Sequence, residues 1–220
     1  MAGIGGARRQ DVDRRKQIRV VATQLFEEQG YHMTTIDNIS EAVSLNKGTL
    51  YYYYNSKASL LFDILLEAGD ITVAHLKSLP ANLAPDEVIR RVVMDSAQQV
   101  GDNLSVTAVY FQEYPFMAKW FDKQQLSALR SREREVEYAL RRAIEAGIED
   151  GTFAAVDPVV ATNCVLSIIT SLHRWYRPDR GKSRDVAGDI AEQVLRSLRP
   201  DHVGDGREAS TCIRSVAVER

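Results

Sequence analysis

The run Thr34-Thr-Ile-Asp-Asn-Ile-Ser-Glu-Ala-Val-Ser-Leu-Asn-Lys-Gly-Thr-Leu-Tyr-Tyr-Tyr-Tyr-Asn-Ser-Lys57 leaves the backbone few options. Thr34 or Thr35 can cap a helix whose apolar face is Ile36, Ile39 and Val43, the spacing of a buried helical stripe. A second short helix follows after a tight turn, and Ser56 caps a third. Ile36, Ile39, Ala42, Leu45 and Leu50 can form the seam between the two short helices, with small Ala42 allowing close approach. Two short helices locked by such a seam, with polar groups left on the outer face of the second, have the layout of a helix-turn-helix.

The flanking sequence is helical too. Ile18, Val21, Ala22, Leu25 and Phe26 make a stripe that stops at Gly30, and Leu60, Leu61, Ile64, Leu65, Ala68 and Ile71 line a long helix running to Leu79-Pro80. Val88, Val92, Val93 and Ala97 predict another helix beyond Pro85, and an aromatic-rich helix covers roughly 104–117, closing near Pro115. A charged helix spans about 122–149, and Asp157-Pro158 opens an unusually apolar one through Tyr176, with proline in the first turn. A loop from Pro178 to Lys182 precedes a last amphipathic helix at 184–198. With no strand pattern and no internal repeat, the chain reads as all-α with about nine helices.

A DNA-reading helix must carry donors on its outer face, and Asn46, Lys47, Thr49, Tyr51, Tyr52 and Tyr53 remain for that purpose. Lys47 suits a phosphate or a guanine edge, and Thr49 brings a hydroxyl and a methyl that matches thymine. Gly48 lets backbone approach the nucleic acid. Tyrosine hydroxyls set register on phosphates, and Thr34, Thr35 and Lys57 are further candidates for such contacts. The four tyrosines can equally serve as packing aromatics, Tyr51 or Tyr54 first among them.

The charge is nearly balanced, with 28 Lys+Arg against 30 Asp+Glu, so the whole chain is not a basic nucleic-acid binder. Its distribution is uneven: the first sixty residues hold eight basic and six acidic side chains, with Arg8, Arg9, Arg14, Arg15, Lys16 and Arg19 clustered ahead of the motif. Cys164 and Cys212 lack metal-ligand spacing and sit in different contexts, which fits a reduced cytoplasmic setting. No signal peptide and no membrane-spanning apolar window is expected.

Thr34-Thr-Ile-x-x-Ile-Ser-x-x-Val, then Leu45-Asn-Lys-Gly-Thr-Leu-Tyr-Tyr-Tyr-Tyr and Ser56-Lys57-x-x-Leu60, resembles the DNA-binding domain of the tetracycline-repressor (TetR) family. Ala22-Thr-Gln-Leu-Phe-Glu-Glu-Gln-Gly-Tyr31 is similar to that family's first helix and its end, so the resemblance covers about residues 14–65. Tyr53 stands where histidine is common in the family. The resemblance implies a homodimer that sits on near-palindromic double-stranded operator DNA and represses transcription until a small-molecule effector reorients its two heads. The expected organisation is then a flexible basic arm over 1–10, a helix-turn-helix domain over 11–56 and a connecting helix over 57–79. A helical-bundle ligand-binding and dimerisation domain follows over 80–199, then a disordered tail over 200–220.

In the C-terminal part, Val106, Tyr110, Phe111, Tyr114, Phe116, Met117, Trp120 and Phe121 crowd one region that can be either a ligand-pocket wall or ordinary core. The helix near 157–176 carries Val159, Val160, Ala161, Val165, Leu166, Ile168, Ile169 and Leu172, so it is expected to be buried all round. With the 184–198 helix (Val186, Ile190, Val194, Leu198) it can supply a four-helix dimer interface, as the family's last two helices do.

His173-Arg-Trp-Tyr-Arg-Pro178 brackets two aromatics with Arg174 and Arg177, which either clamp an acidic group such as a phosphate or carboxylate or form salt bridges to helix ends or to a partner subunit. This segment and Gly147-Ile-Glu-Asp-Gly-Thr-Phe153 look similar to TetR members that govern sterol or fatty-acid catabolism in actinobacteria, some of which respond to acyl-coenzyme A thioesters. Such a thioester, a free hydrophobic acid or another small lipophilic molecule is the expected effector; no cofactor or metal is expected.

Catalysis is not indicated. His32, His75, His173 and His202 are scattered, and the carboxylates of Arg132-Glu-Arg-Glu-Val-Glu137 read as a solvated helix face. The competing class is a helical protein–protein interaction module without an effector, which leaves the polar face from Lys47 to Lys57 without a purpose.

Overall fold

The computed structural model describes residues 4–176 and 185–200, and every regular element among them is helical. The chain runs through α1 (Ile4–Gln29), α2 (Ile36–Ala42), α3 (Lys47–Tyr53), α4 (Lys57–Ser78) and α5 (Pro85–Asp102). Then come α6 (Leu104–Glu113), a 3-10 turn (Tyr114–Phe116), the one-turn α7 (Met117–Trp120), α8 (Lys123–Glu149), α9 (Pro158–Trp175) and α10 (Val186–Leu198). The tail beyond residue 200, the Pro178–Lys182 loop, Arg177, His202 and Cys212 lie outside the described residues.

Local chemistry sets the boundaries. Gly30 ends α1 at φ +83°, and the Thr34 hydroxyl donates back to the Gly30 and Leu25 carbonyls at 2.9 and 3.1 Å. Thr35, not Thr34, is the N-cap of α2, in a reciprocal capping box with Asn38. Asn46 caps α3 by accepting from the Thr49 amide at 2.7 Å, and Ser56 with Ser59 boxes the start of α4. The Asp157 carboxylate accepts from the amides of Val159 and Val160, with Pro158 in the first turn of α9.

Residues 4–10, expected as a flexible arm, instead continue α1. Ala7, Arg8, Arg9 and Gln10 are good helix formers, and extending an existing helix adds a hydrogen bond per residue without a new nucleation cost.

Two hydrophobic cores organise the molecule. The head core gathers Ile18, Ala22, Phe26 and Tyr31 of the first helix and its end, then Ile39, Val43, Leu50 and Tyr54. It also takes Leu60, Leu61, Ile64 and Leu65 of α4. The body core is built by α5, α8, α9 and α10, with Leu76 and Leu79 from the far end of α4 packed against it. So α4, expected as a connector, is a shared wall of both cores. Salt bridges flank it: Arg19 to Asp63 and Glu67 on the head side, and Arg132 to Asp70 and Lys77 to Glu135 on the α8 side.

Two sequence expectations change here. Ala42 is exposed, so the α2–α3 seam rests on Ile39, Val43 and Leu50, with Ile36 and Leu45 partly buried beside them. In the single chain α9 buries one face only, through Ala161, Val165 and Leu172, while Val159 and Val160 (60 % exposed) face outward.

Candidate nucleic-acid interface and effector core

Helix α3 is anchored by Leu50, its one buried residue, which leaves Asn46, Lys47, Gly48, Tyr51 and Tyr52 exposed on one side and Thr49 half-buried. Tyr52 is the most projecting aromatic of the head, at 73 % exposure. The Lys47 ammonium reaches the Asp37 carboxylate of α2 at 2.9 Å, and this hydrogen bond raises its pKa above the usual lysine value. Lys47 and Asp37 are both exposed, so the pair is weak in water and open to competition from a phosphate.

The tyrosines divide by register. Tyr54 is buried and its hydroxyl donates to Asp63 at 2.7 Å; burial, then that bond, raises its pKa. Tyr53 is half-buried, donates to Asp11 at 3.1 Å, and lies 5.7 Å from the Arg15 guanidinium, which also covers Tyr54 at 5.3 Å. Tyr53 therefore fastens α3 to α1, and only Tyr51 and Tyr52 stand clear of the head.

Two expected phosphate contacts are internal. Thr34 is fully buried with its hydroxyl committed to the end of α1. Lys57 donates to the carbonyls of Tyr31 (2.6 Å), Thr34 (2.7 Å) and His32 (3.3 Å), with its ammonium 4.3 Å from the Tyr31 ring centroid. Its three donors match three carbonyls that the end of α1 and the following loop leave unpaired, and burial lowers its pKa. Thr35 stays exposed but spends its side chain on the α2 cap.

The aromatic residues expected as pocket wall or core pack as follows. Met117 and Phe121 are buried in the head core, Phe121 meeting Phe62 at 5.7 Å. Trp120 stacks edge-on against His32 (4.9 Å) and tilts against Tyr31 (5.2 Å). Tyr110 donates a short hydrogen bond to Glu133 of α8, and burial drives its pKa far above the tyrosine range. Phe111 stacks flat on His173 of α9 at 4.0 Å, and Tyr114 is exposed. Tyr110 also meets Phe111 at 5.1 Å and Tyr114 at 5.6 Å, so the rings form two groups, one around Tyr110 and one in the head core around Phe121 and Trp120. Arg174 is exposed at the end of α9.

The sequence reading missed a polar seam at the surface of the body, with His75 exposed and Thr72 and Gln99 half-buried. Between α4, α5 and α8, Thr72 donates to Gln99 at 2.7 Å, and the Gln99 amide meets His75 Nδ1 at 3.4 Å. Asp95 and Ser96 line the same narrow gap, closed by Leu76, Val92 and Val136. Thr72 and His75, three apart on one face of α4, were its sequence signal. Among the described residues no cluster of His, Cys, Asp and Glu is arranged to hold a metal ion, and no helix is long and apolar enough to cross a membrane.

Comparison with known proteins agrees with this arrangement. The family model for bacterial regulatory proteins of the tetR family matches residues 18–64, and that for the tetracyclin repressor-like C-terminal domain matches residues 82–198. The chain is 28% identical over 192 residues to the HTH-type transcriptional repressor KstR2 of Rhodococcus jostii, covering 86% of this chain and 93% of the relative. The crystal structure of the TetR family regulator PfmR from Thermus thermophilus superposes with a TM-score of 0.73 at 28% identity, covering 81% of this chain and 97% of PfmR. AibR in complex with isovaleryl coenzyme A and operator DNA shares the fold, with a TM-score of 0.70 at 21% identity over 85% of this chain and 98% of that one.

Proposed function

Because the chain belongs to the TetR family of helix-turn-helix transcriptional regulators, we propose that it is a homodimeric repressor that leaves its operator when a small ligand enters the body. The observation that carries this reading is α3, held by Leu50 and the Asn46 cap with Lys47, Gly48, Tyr51 and Tyr52 facing out. Lys47 exchanges Asp37 for a phosphate or guanine edge, Thr49 reads a base, and Tyr51 and Tyr52 set register on the backbone. Two heads placed about 35 Å apart, one turn of DNA, read a near-palindromic site.

The outward face of α9 is the surface we assign to the dimer, since Val159 and Val160 stand in water in the single chain. The Ile190, Val194 and Leu198 stripe of α10, expected to share that interface, is buried in the body core, so α10 can join only by its polar side. The effector is a lipophilic acid or its coenzyme A thioester. A ligand polar group replaces the Thr72–Gln99–His75 bonds, and its apolar part wedges α4 from α5 and α8. That coupling is direct because α4 is also a wall of the head core. The complex of AibR with isovaleryl coenzyme A supports the thioester as a ligand class.

The test is a melting-temperature panel of acyl-coenzyme A esters and free acids, each then titrated into the operator complex. A ligand that both raises the melting temperature and releases DNA supports the reading. Stabilisation without release would leave the ligand no role in control. An effect of thioester but not acid, abolished by Arg174→Ala, assigns that arginine to the coenzyme phosphates.

A further inference from the structure

We propose that Glu113, Trp120, Tyr31, His32 and Lys57 form a latch that fixes the angle of the reading head on the body, and that seating or release of this latch sets operator affinity. The proposal rests on the regulator reading above and deepens it.

Glu113 ends α6 as a buried carboxylate, 5 % exposed, and its Oε2 accepts from the Trp120 indole Nε1 at 3.0 Å. The same indole lies against Tyr31 and His32, which belong to the head. Beyond those rings sits the Lys57 ammonium, inside its three carbonyls, and the field of Glu113 reaches both Lys57 and the Tyr31 phenol. His32 also meets Phe116 at 6.3 Å. The contact thus joins the α1–α2 loop and the start of α4 to the end of α6 and α7. These pack into the head core through Val109, Met117 and Phe121, while Tyr110 and Phe111 tie α6 to α8 and α9 of the body.

The α6–α7 side of the latch is built to move as a unit. Helix α6 stops at Glu113, a 3-10 turn with Pro115 follows without a break, and α7 lasts one turn. Pro115 sits in the first turn, where a missing N–H costs nothing. The Tyr114 amide on Tyr110 and the Met117 amide on Tyr114 carry the backbone bonds across, so α6 and α7 are coupled through the turn. The other end of α6 is tied to the body by Tyr110 on Glu133 and Phe111 on His173. Helix α6 is therefore a lever between α8 and α9 on one side and the head loop on the other. A buried carboxylate with its donor withdrawn is expensive, so the latch favours seated or fully open over intermediate positions.

Trp120→Phe keeps a ring against Tyr31 and His32 but removes the donor; Glu113→Gln keeps the shape and removes the charge. In the full-length chain, operator affinity is measured beside hydrogen exchange and the melting temperature. The latch predicts a fall in operator affinity of tenfold or more in both variants, faster exchange confined to residues 30–36 and 113–121, and a dimer that still melts cooperatively. Trp120→Leu, which removes the ring as well, should weaken binding further. Specific wild-type binding that both conservative variants retain within twofold overturns the latch, since mere packing would move the melting temperature alone. If the wild-type chain binds operator and random DNA equally, the regulator reading fails and takes the latch with it.

Discussion

Lys47 and Lys57 have the same side chain and stand ten positions apart, yet they do opposite work. Lys47 is exposed and paired with an equally exposed Asp37, whereas Lys57 is enclosed by three carbonyls and an aromatic ring. Lys47→Ala should weaken operator binding about tenfold or more, in line with the 1–3 kcal/mol of a base or phosphate contact, and leave the dimer intact by sedimentation. Asp37→Asn frees the lysine and removes a negative charge from the DNA side, so nonspecific affinity at low salt should rise. Lys57→Met leaves buried carbonyls unsatisfied and should cost about 1–3 kcal/mol of stability, read as a lower denaturation midpoint. The phenols respond to pH. Burial, then the charge of Glu113, pushes the Tyr31 pKa up to about 12. A raised pKa gives stability that is complete below pH 10 and lost as pH climbs through 12. Absorbance of phenolate should therefore show Tyr31 ionising only as the chain unfolds, and Tyr31→Phe should flatten this alkaline loss.

The short helices of the head were legible at the scale of the element because their causes are local. Thr35–Asn38, Asn46–Thr49 and Ser56–Ser59 are caps three residues apart, and Leu50 needs only α1 and α2 beside it. The role of the 110–121 aromatics was not legible, because their partners Tyr31 and His32 lie some ninety residues upstream and no local pattern points there. Lys57 misled for the same reason: a lysine at a helix start looks solvent-facing until the loop before α2 folds over it. Length also deceived at α1, where a run of arginines that suggested a separate arm is helix. Gly147, in contrast, has a visible reason. A Cβ there would stand 2.2 Å from the Phe153 ring, so Gly147→Ala should destabilise the α8–α9 corner by about 1–3 kcal/mol, measurable by thermal melting.

For the whole molecule, α4 makes one device of two cores. Its first half packs with the head and its last turns with the body, while the Thr72–His75–Gln99 seam lies between them. In the proposed mechanism, separation of α4 from α5 reaches α3 through the head core, of which α4 is a wall. The proposed dimer face belongs to this scale as well: Val160→Asp on α9 should yield monomers in sedimentation and abolish operator binding while leaving helicity unchanged. The most direct test compares a labelled palindromic site from the DNA upstream of the coding region with a scrambled duplex, at near-physiological salt, for wild type and Lys47→Ala. The account predicts that wild type prefers the palindrome by about a thousandfold or more and that Lys47→Ala loses much of that preference. Equal affinity of the wild-type chain for both duplexes would contradict it.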